Sequence, residues 1–546
     1  MIKPEFQNAI RVNHRGFLSH SQKRFILTEN ESKSYAFSVY IIDDVKEVKV
    51  FEGALYPVFE NGATYYVGDF SSVTKNGDYF IEAGGVRSRQ FVIYDGAYDI
   101  CQRTMLEYFT YQRCGHALGW NGACHTDDGY IKETGERVDL SGGYHQSCDL
   151  RKSPGGVSIG VLSMLKFAIK DQSQWGKILV VDEVRWALEY YIKTIQENGA
   201  MYNTLNDPFG WEGRIFYKSP APSSAQWNVT SILTLGYMYF RYRDEDFAKK
   251  CLDKALCSYN YMMSDLRSNE VYKHPDKYQM GMDPDFFYEL CRKNSCADLA
   301  YQITASAELY RATKNDVYLD VIRANTPIIL DTLADGYILT RLDNKGKTVS
   351  ATCSYSWLMG GLLALCDAYE LCGDFANLKS KLTLALDRLC SFADKSPWRS
   401  VQKIYSEQDL DVVDGHLNQT RRSAIPALTK FGDFYYSANE SFEPSYSCYM
   451  GIFLARSSKL LNCDKYLGYA QSIVDNLLGA NIMDSSHIRS IGYNHAQHHS
   501  YGQFFPSTPF IPGAVGVGYT SIDVYKTSSE YDMPCVGLSM YLLSEI

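Results

Sequence analysis

No stretch of 18 consecutive apolar residues occurs in the chain, so no segment has the length and apolarity of a membrane-spanning helix. An excess of basic residues is missing too. Against 54 Lys and Arg stand 63 Asp and Glu, for a net charge of -9, and without a basic footprint nucleic acid is not an expected partner. The opening MIKPEFQNAIRVNHRGF has neither the apolar core nor the small-residue cleavage site of an export signal. The 15 Cys are odd in number and scattered rather than set in a short framework. Together these features give the expectation of reduced thiols in the cytoplasm. No D-x-D-x-D-G loop for calcium is present. The oligomeric state cannot be read from the sequence.

Aromatic residues are abundant: 43 Tyr, 26 Phe and 7 Trp make 14% of the chain. A large Tyr-rich core would account for them, and so would a cleft in which sugar faces stack on rings. Composition leaves both open. At 546 residues the chain exceeds the size at which one core stops growing. Residues 1–96 read as short strands. Alternating runs at Phe37–Ile42, Val48–Phe51 and Thr64–Val67 are separated by turn signals at Asn61-Gly62, Asn76-Gly77 and Gly84-Gly85. That spacing suggests an immunoglobulin-like β-sandwich.

Residues 97–546 change character to amphipathic helices. Val184, Ala187, Leu188, Tyr191, Ile192 and Ile195 share one helical face. Similar stripes recur near 156–170, 228–242, 298–313, 316–333, 356–372, 375–393, 445–461, 464–478 and 531–545. About a dozen helices fit either a solenoid or a closed ring of hairpins. Long Gly- and Pro-bearing loops at 201–227, 335–355, 394–420 and 482–525 favour a ring whose loops gather at one mouth.

Several motifs then appear in a fixed order. Ile10-Arg-Val-Asn13, Gly16-Phe17-Leu18 and Lys23-Arg24 resemble the opening of the immunoglobulin-like domain that precedes many family 9 glycoside hydrolases. Asp139-Leu-Ser-Gly-Gly-Tyr-His-Gln-Ser-Cys-Asp149-Leu-Arg-Lys152 resembles that family's D-x-S-G-G-W-x-D-A-G-D-x-x-K. Leu477-Leu-Gly-Ala-Asn481, Ser486 and Gly492 resemble its L-L-G-x-N…S…G element. His498-His499 stands where the family has His-His-Arg, and Ser529-Glu530 where it has Asn-Glu. The resemblance spans nearly the whole chain. It implies an (α/α)6 barrel behind the sandwich and an inverting glycoside hydrolase.

Inverting glycoside cleavage needs one carboxylic acid to protonate the leaving oxygen and one carboxylate to activate water, roughly 6.5–9.5 Å apart. By the resemblance, Asp149 is the base and Glu530 the acid. Gln146 replaces the family's first Asp, Cys148 a Gly, and Ser500 the Arg of His-His-Arg. An amide can bind the water but carries no charge, and Ser500 removes a fork of donors. These departures turn the expectation away from an ordinary endo-cellulase. An exo-acting enzyme on β-linked glucose or glucosamine oligosaccharides or glycosides is expected. An endo-β-1,4-glucanase and an impaired carbohydrate-binding homologue remain the alternatives. Candidate substrate contacts are Gln146, His498, Trp211 in the Asp207–Gly213 turn, Tyr355 and Trp357, with Trp227 as a further aromatic after a long loop. Cys114, Cys124 and His125 are acceptable zinc ligands. Relatives with the N-terminal domain imply a structural zinc here, with Asp128 preferred over Asp127 as the fourth ligand. No organic cofactor is expected.

Overall fold

The structure is a computed structural model. It describes residues 7–147 except 61 and 118–122, residues 152–202 except 171–173, and residues 215–216 and 221–264. It also describes residues 293–331 except 295, residues 360–400, 443–495, 510–516 and 531–546, and short strand segments between 333 and 437.

The first ten strands form two facing sheets. One runs β1 (Ile10–Arg11), β3 (Arg24–Leu27), β7 (Ala63–Asp69), β6 (Tyr56–Glu60). The other runs β2 (Gly16–Phe17), β10 (Phe91–Ile93), β8 (Gly77–Ala83), β4 (Ala36–Asp43), β5 (Lys46–Ala54), with β9 (Val86–Arg87) added beside β8. Strand side chains alternate between faces, and β4 obeys this: Phe37, Val39 and Ile41 are buried while Ser38, Tyr40 and Ile42 are less so. The inward residues meet Phe17, Phe25, Phe70, Tyr79 and Phe91 in one aromatic core. Edge-to-face pairs such as Phe25–Phe37, 4.9 Å between centroids, lock it.

Among the described residues twelve helices of 13 residues or more follow. They are α1 (Asp99–Tyr111), α2 (Ser158–Lys170), α3 (Gln174–Thr194), α4 (Ser223–Phe240), α5 (Glu245–Met263) and α6 (Cys296–Thr313). Then come α7 (Val317–Leu330), α8 (Gly360–Cys372), α9 (Leu378–Ala393), α10 (Pro444–Leu461), α11 (Lys465–Leu477) and α12 (Met533–Glu545). Each even helix packs on the next even one, and α12 returns to α2, so the six close a ring. The odd helices lie outside against them. Burial follows this division. In α4 nearly every residue is buried, whereas α1 buries one face carrying Cys101, Thr104, Met105, Leu106, Tyr108 and Phe109.

The two ends of the ring differ. Odd helices reach even ones through long connections: 112–157, 195–222, 264–295, 331–359, 394–443 and 478–532. Even helices reach odd ones through 171–173, 241–244, 314–316, 373–377 and 462–464. All the long connections therefore enter the inner helices at their N-terminal ends, which form the mouth. The opposite end, the base, carries a belt of ion pairs. Lys166 of α2 pairs with Glu308 of α6. Arg311 of α6 meets Asp367 of α8 at 3.0 Å, and Arg456 of α10 meets the same carboxylate at 2.9 Å. Lys459 of α10 and Lys170 of α2 both hold Glu545 of α12. Burial pushes the Asp367 carboxyl up, but Arg456 and then Arg311 hold it well below the usual range.

Candidate active site and metal centre

Two short backbone pairings build the mouth. Residues 112–114 run beside 143–145: Cys114 N–H donates to the Gly143 carbonyl at 2.9 Å, and His145 N–H to that of Gln112 at 2.8 Å. The chain then turns to a second partner. Ser147 forms an antiparallel bridge with Asp532, and Met533 N–H donates to the Gln146 carbonyl at 3.0 Å. Residue 532 is extended (φ -143°), and Pro534 opens α12 just beyond it. The Gln146 side chain packs on Gly156 before α2. A Cβ at 156 would come within 2.1 Å of Gln146 Oε1, so a larger residue there would displace the amide from this position. Behind this floor the Tyr531 ring meets that of Tyr108 edge-on at 5.7 Å, and Gln112 Nε2 donates to the Tyr108 hydroxyl at 2.9 Å.

Of the expected site residues, Gln146 thus stands at the mouth. Asp149, Glu530, His498, Trp211, Tyr355 and Trp357 lie outside the described residues, as do Cys148 and Ser500. Trp227 is a core residue: it is 1% exposed, and its Nε1 donates to Asp298 at 2.7 Å.

Beside the floor, Cys114, Cys124, His125 and His145 are all buried, and their ligand atoms lie within 4.8 Å of one another. Cys124 Sγ is 3.1 Å from His145 Nε2, and the two imidazole centroids are 5.2 Å apart. Burial alone pushes a thiol up, as it does Cys101, to about 12. Cys124 goes the other way. The hydrogen bond from Cys114, then those from His125 and His145, holds it well below the ordinary thiol range. Two thiols and two imidazoles are a zinc donor set. With Zn–S about 2.3 Å and Zn–N about 2.0–2.1 Å, tetrahedral ligand atoms stand about 3.3–3.8 Å apart. The cluster needs only slight closing to reach that spacing.

Asp128 is not part of the group. Its carboxylate accepts from Lys152 Nζ at 3.0 Å, both side chains being fully buried, and Lys152 also donates to the Leu140 carbonyl at 2.6 Å. A buried ammonium needs a counter-charge, and Asp128 supplies it. The fourth position falls to His145 because the 112–114/143–145 pairing swings its ring onto the thiols. His145 escaped the sequence reading although it stands beside Gln146 inside the quoted motif.

Residues 98–516 match the family described as Glycosyl hydrolase family 9, and residues 5–88 match the Cellulase N-terminal ig-like domain. The Cellodextrinase of Butyrivibrio fibrisolvens is 25% identical over 342 residues, 57% of this chain and 59% of that protein. Endoglucanase D of Acetivibrio thermocellus is 23% identical over 352 residues, 58% of this chain and 53% of its own length. The chain thus spans little more than half the length of these relatives. Among solved structures, a single mutant thermostable endoglucanase from Alicyclobacillus acidocaldarius is 17% identical with a TM-score of 0.69, covering 98% of this chain and 99% of its own. A Zn-binding triple mutant of the family 9 endoglucanase J30 is also 17% identical, with a TM-score of 0.70 over 96% of this chain and 99% of that one. At that identity the likeness bears on the fold, a sandwich followed by an (α/α)6 barrel. With six inner and six outer helices among the described residues behind an immunoglobulin-like domain, and a family match that runs through both 143–147 and 514–516, the chain belongs to glycosyl hydrolase family 9.

Proposed function

We propose that the chain is an inverting glycoside hydrolase that removes β-linked glucosyl-type units, glucose or glucosamine, from the ends of short oligosaccharides or glycosides. Asp149 is its general base and Glu530 its general acid. The observation that carries this reading is the Ser147–Asp532 bridge with its Met533–Gln146 hydrogen bond. Residues two positions from each acid are bonded neighbours at the mouth. A chain extends at most about 3.6 Å per residue, so positions 149 and 530 each lie within about 7 Å of their partner in this bridge, which supports their acting on one substrate. Water held there gives its proton to Asp149 as its oxygen attacks the anomeric carbon. The bond to the leaving oxygen breaks, and that oxygen takes the proton of Glu530. Gln146 holds the water as an acceptor without adding charge.

Ser500 in place of Arg, the aromatic segment Tyr501–Phe510, and the similarity to a protein named Cellodextrinase support short substrates taken from one end. The similarity to proteins named Endoglucanase favours the second reading, internal cleavage of a β-1,4-glucan. In both readings Cys114, Cys124, His125 and His145 hold a zinc that fixes the loop ahead of Asp149. Four protein ligands leave no open position for chemistry. A panel of aryl β-glycosides, β-linked disaccharides to hexasaccharides and soluble cellulose tests the proposal. Release of monosaccharide from short substrates is expected. A rapid viscosity loss of soluble cellulose would favour the endo reading, and turnover of no substrate would overturn both.

A further inference from the structure

The L-L-G-x-N…S…G element has a use in this chain that its sequence does not announce. It forms a socket for the β-sandwich. His14, in the turn between β1 and β2, is buried and enters the loop that follows α11. Its backbone N–H donates to the Leu478 carbonyl at 2.8 Å. The ring lies between two glycines in left-handed backbone, Gly479 (φ 108°) and Gly492 (φ 79°). A Cβ on the first would stand 2.4 Å from the imidazole, and one on the second 2.9 Å from the His14 Cβ. A side chain at 479 would collide with the ring, and both positions hold a backbone conformation that favours glycine.

At the bottom of the socket is Asp484, whose side chain is 1% exposed. Its Oδ1 receives His14 Nε2 at 2.9 Å. Its Oδ2 accepts from Asn8 N–H at 2.9 Å, Arg89 Nη2 at 3.0 Å and Asn494 Nδ2 at 3.1 Å. Arg11 Nη1 lies 3.9 Å away. The other ring nitrogen of His14 accepts from Tyr493 N–H at 3.1 Å. An amide N–H can only donate, so Nδ1 is bare and Nε2 carries the proton given to Asp484. Burial pushes the Asp484 carboxyl up, but the His14 hydrogen bond and its other partners leave it below the ordinary range. Asn8, Arg11, His14 and Arg89 belong to the sandwich, and Asn494 and Tyr493 to the ring. One carboxylate therefore joins both.

From this node a backbone ladder crosses the mouth. Leu478 bridges Ser486, and His487 N–H donates to the Leu477 carbonyl at 2.9 Å. Ile488 bridges Val515, with Arg489 N–H on the Ala514 carbonyl at 3.0 Å. Gly516 bridges Tyr531, and Asp532 N–H donates to the Val515 carbonyl at 3.2 Å. Asp532 bridges Ser147. Tyr531, on the rung to Gly516, is covalently bonded to position 530.

We infer that Asp484 is a positioning residue: by clamping His14 into the loop after α11, it keeps this ladder in register and so sets where the acid at position 530 stands. The inference rests on the reading of Glu530 as general acid. A displaced acid costs rate in proportion to how much the leaving group needs a proton. Dinitrophenolate departs without one, whereas phenolate and sugar alkoxides do not. A role confined to stability would lower all substrates alike.

The test compares Asp484→Asn and the milder Arg89→Met, which removes one partly exposed donor, with Glu530→Gln in parallel. Each is assayed on matched 2,4-dinitrophenyl and phenyl β-glycosides of the sugar cleaved fastest. For Asp484→Asn, kcat on the phenyl glycoside should fall on the order of 10- to 100-fold, the scale for small misplacements, with little change on the dinitrophenyl one. Arg89→Met should show the same asymmetry, weaker, and it carries the test if the first variant does not fold. If Glu530→Gln shows the asymmetry and neither Asp484→Asn nor Arg89→Met does, the positioning role is refuted and the acid assignment stands. If Glu530→Gln loses both substrates equally or neither, the acid assignment falls and this inference with it.

Discussion

The mouth and the base of the ring solve opposite problems with the same six inner helices. At the mouth the chain crosses in long connections, and short isolated bridges such as Ser147–Asp532 hold segments distant in sequence side by side. At the base it turns within a few residues, and buried ion pairs run from helix to helix, with Asp367 shared by Arg311 and Arg456. On the proposed reading, the mouth carries the two catalytic carboxylates on its connecting segments. The base neutralises its own inside the ring. Activity and stability should therefore separate along the ring axis.

The sharpest break of that comparison is at the mouth. Asp149→Asn and Glu530→Gln keep side-chain volume and remove proton transfer, so kcat should fall by about 100- to 10,000-fold on a substrate with a poor leaving group. Melting temperature should stay near that of the parent. Steady-state rates and a thermal melt on the same samples check both halves. The mirror experiment is Arg456→Met at the base, which leaves Asp367 with one of its two arginines. Breaking a buried pair costs about 3–5 kcal/mol. The melting temperature should drop while kcat per folded molecule holds. A loss of kcat without loss of stability would show that base and mouth are coupled.

Much of this division was legible in the sequence, and some was not. The β4 alternation and the stripes of the outer helices α7, α9 and α11 read directly, because one buried face leaves a period. The sequence reading passes over α1 and α5, although each carries a stripe, Cys101, Met105 and Tyr108 on one and Phe247, Cys251, Ala255 and Tyr259 on the other, and α5 has a plain start: Asp244 accepts from Phe247 N–H at 3.1 Å, with Glu245 and Asp246 in the first turn. Helix α4 hides its burial differently. Thr230, Ser231 and Thr234 are polar yet buried, their hydroxyls bonded to carbonyls one turn back. Sequence cannot distinguish them from surface residues. Asp128 and His145 changed places for a similar reason. Ligand choice there depends on which strand pairs beside Cys114 and on the buried Lys152, and both are matters of tertiary contact.

The Cys114, Cys124, His125 and His145 cluster lies between the two extremes, since it belongs to the mouth but, on the proposed reading, holds a structural zinc. Cys124→Ser should lose about one equivalent of zinc, measured by elemental analysis, and several degrees of melting temperature. Activity should fall only as far as the folded fraction does. Protein that is metal-free as purified, and indifferent to chelation, would leave Cys114 and Cys124 as ordinary core thiols.

A smaller effect is expected where the sandwich meets α11. Asp475 is held by Asn13 and Gln471 beside Tyr98, and burial pushes its carboxyl up to about 7, against a pull from Asn13, Gln471, Arg24 and Lys23. A raised carboxyl contributes stability that is full below its unfolded value of 3.8 and lost as pH rises through 7. Asparagine does not titrate. The melting temperature of Asp475→Asn, taken relative to the parent, should therefore rise between pH 5 and pH 8. A difference that stays flat, or runs the other way, would mean that the neighbouring amides already stabilise the ionised form.

The claim on which the rest depends is that water, activated at one side of the mouth, displaces the leaving group in a single step. Proton NMR of the first minutes of hydrolysis reads this directly, before the released sugar mutarotates. A β-glycoside should yield the α anomer first, with the β anomer growing in later. A β anomer as the first product would contradict the account, because it requires a covalent intermediate on a nucleophile other than water.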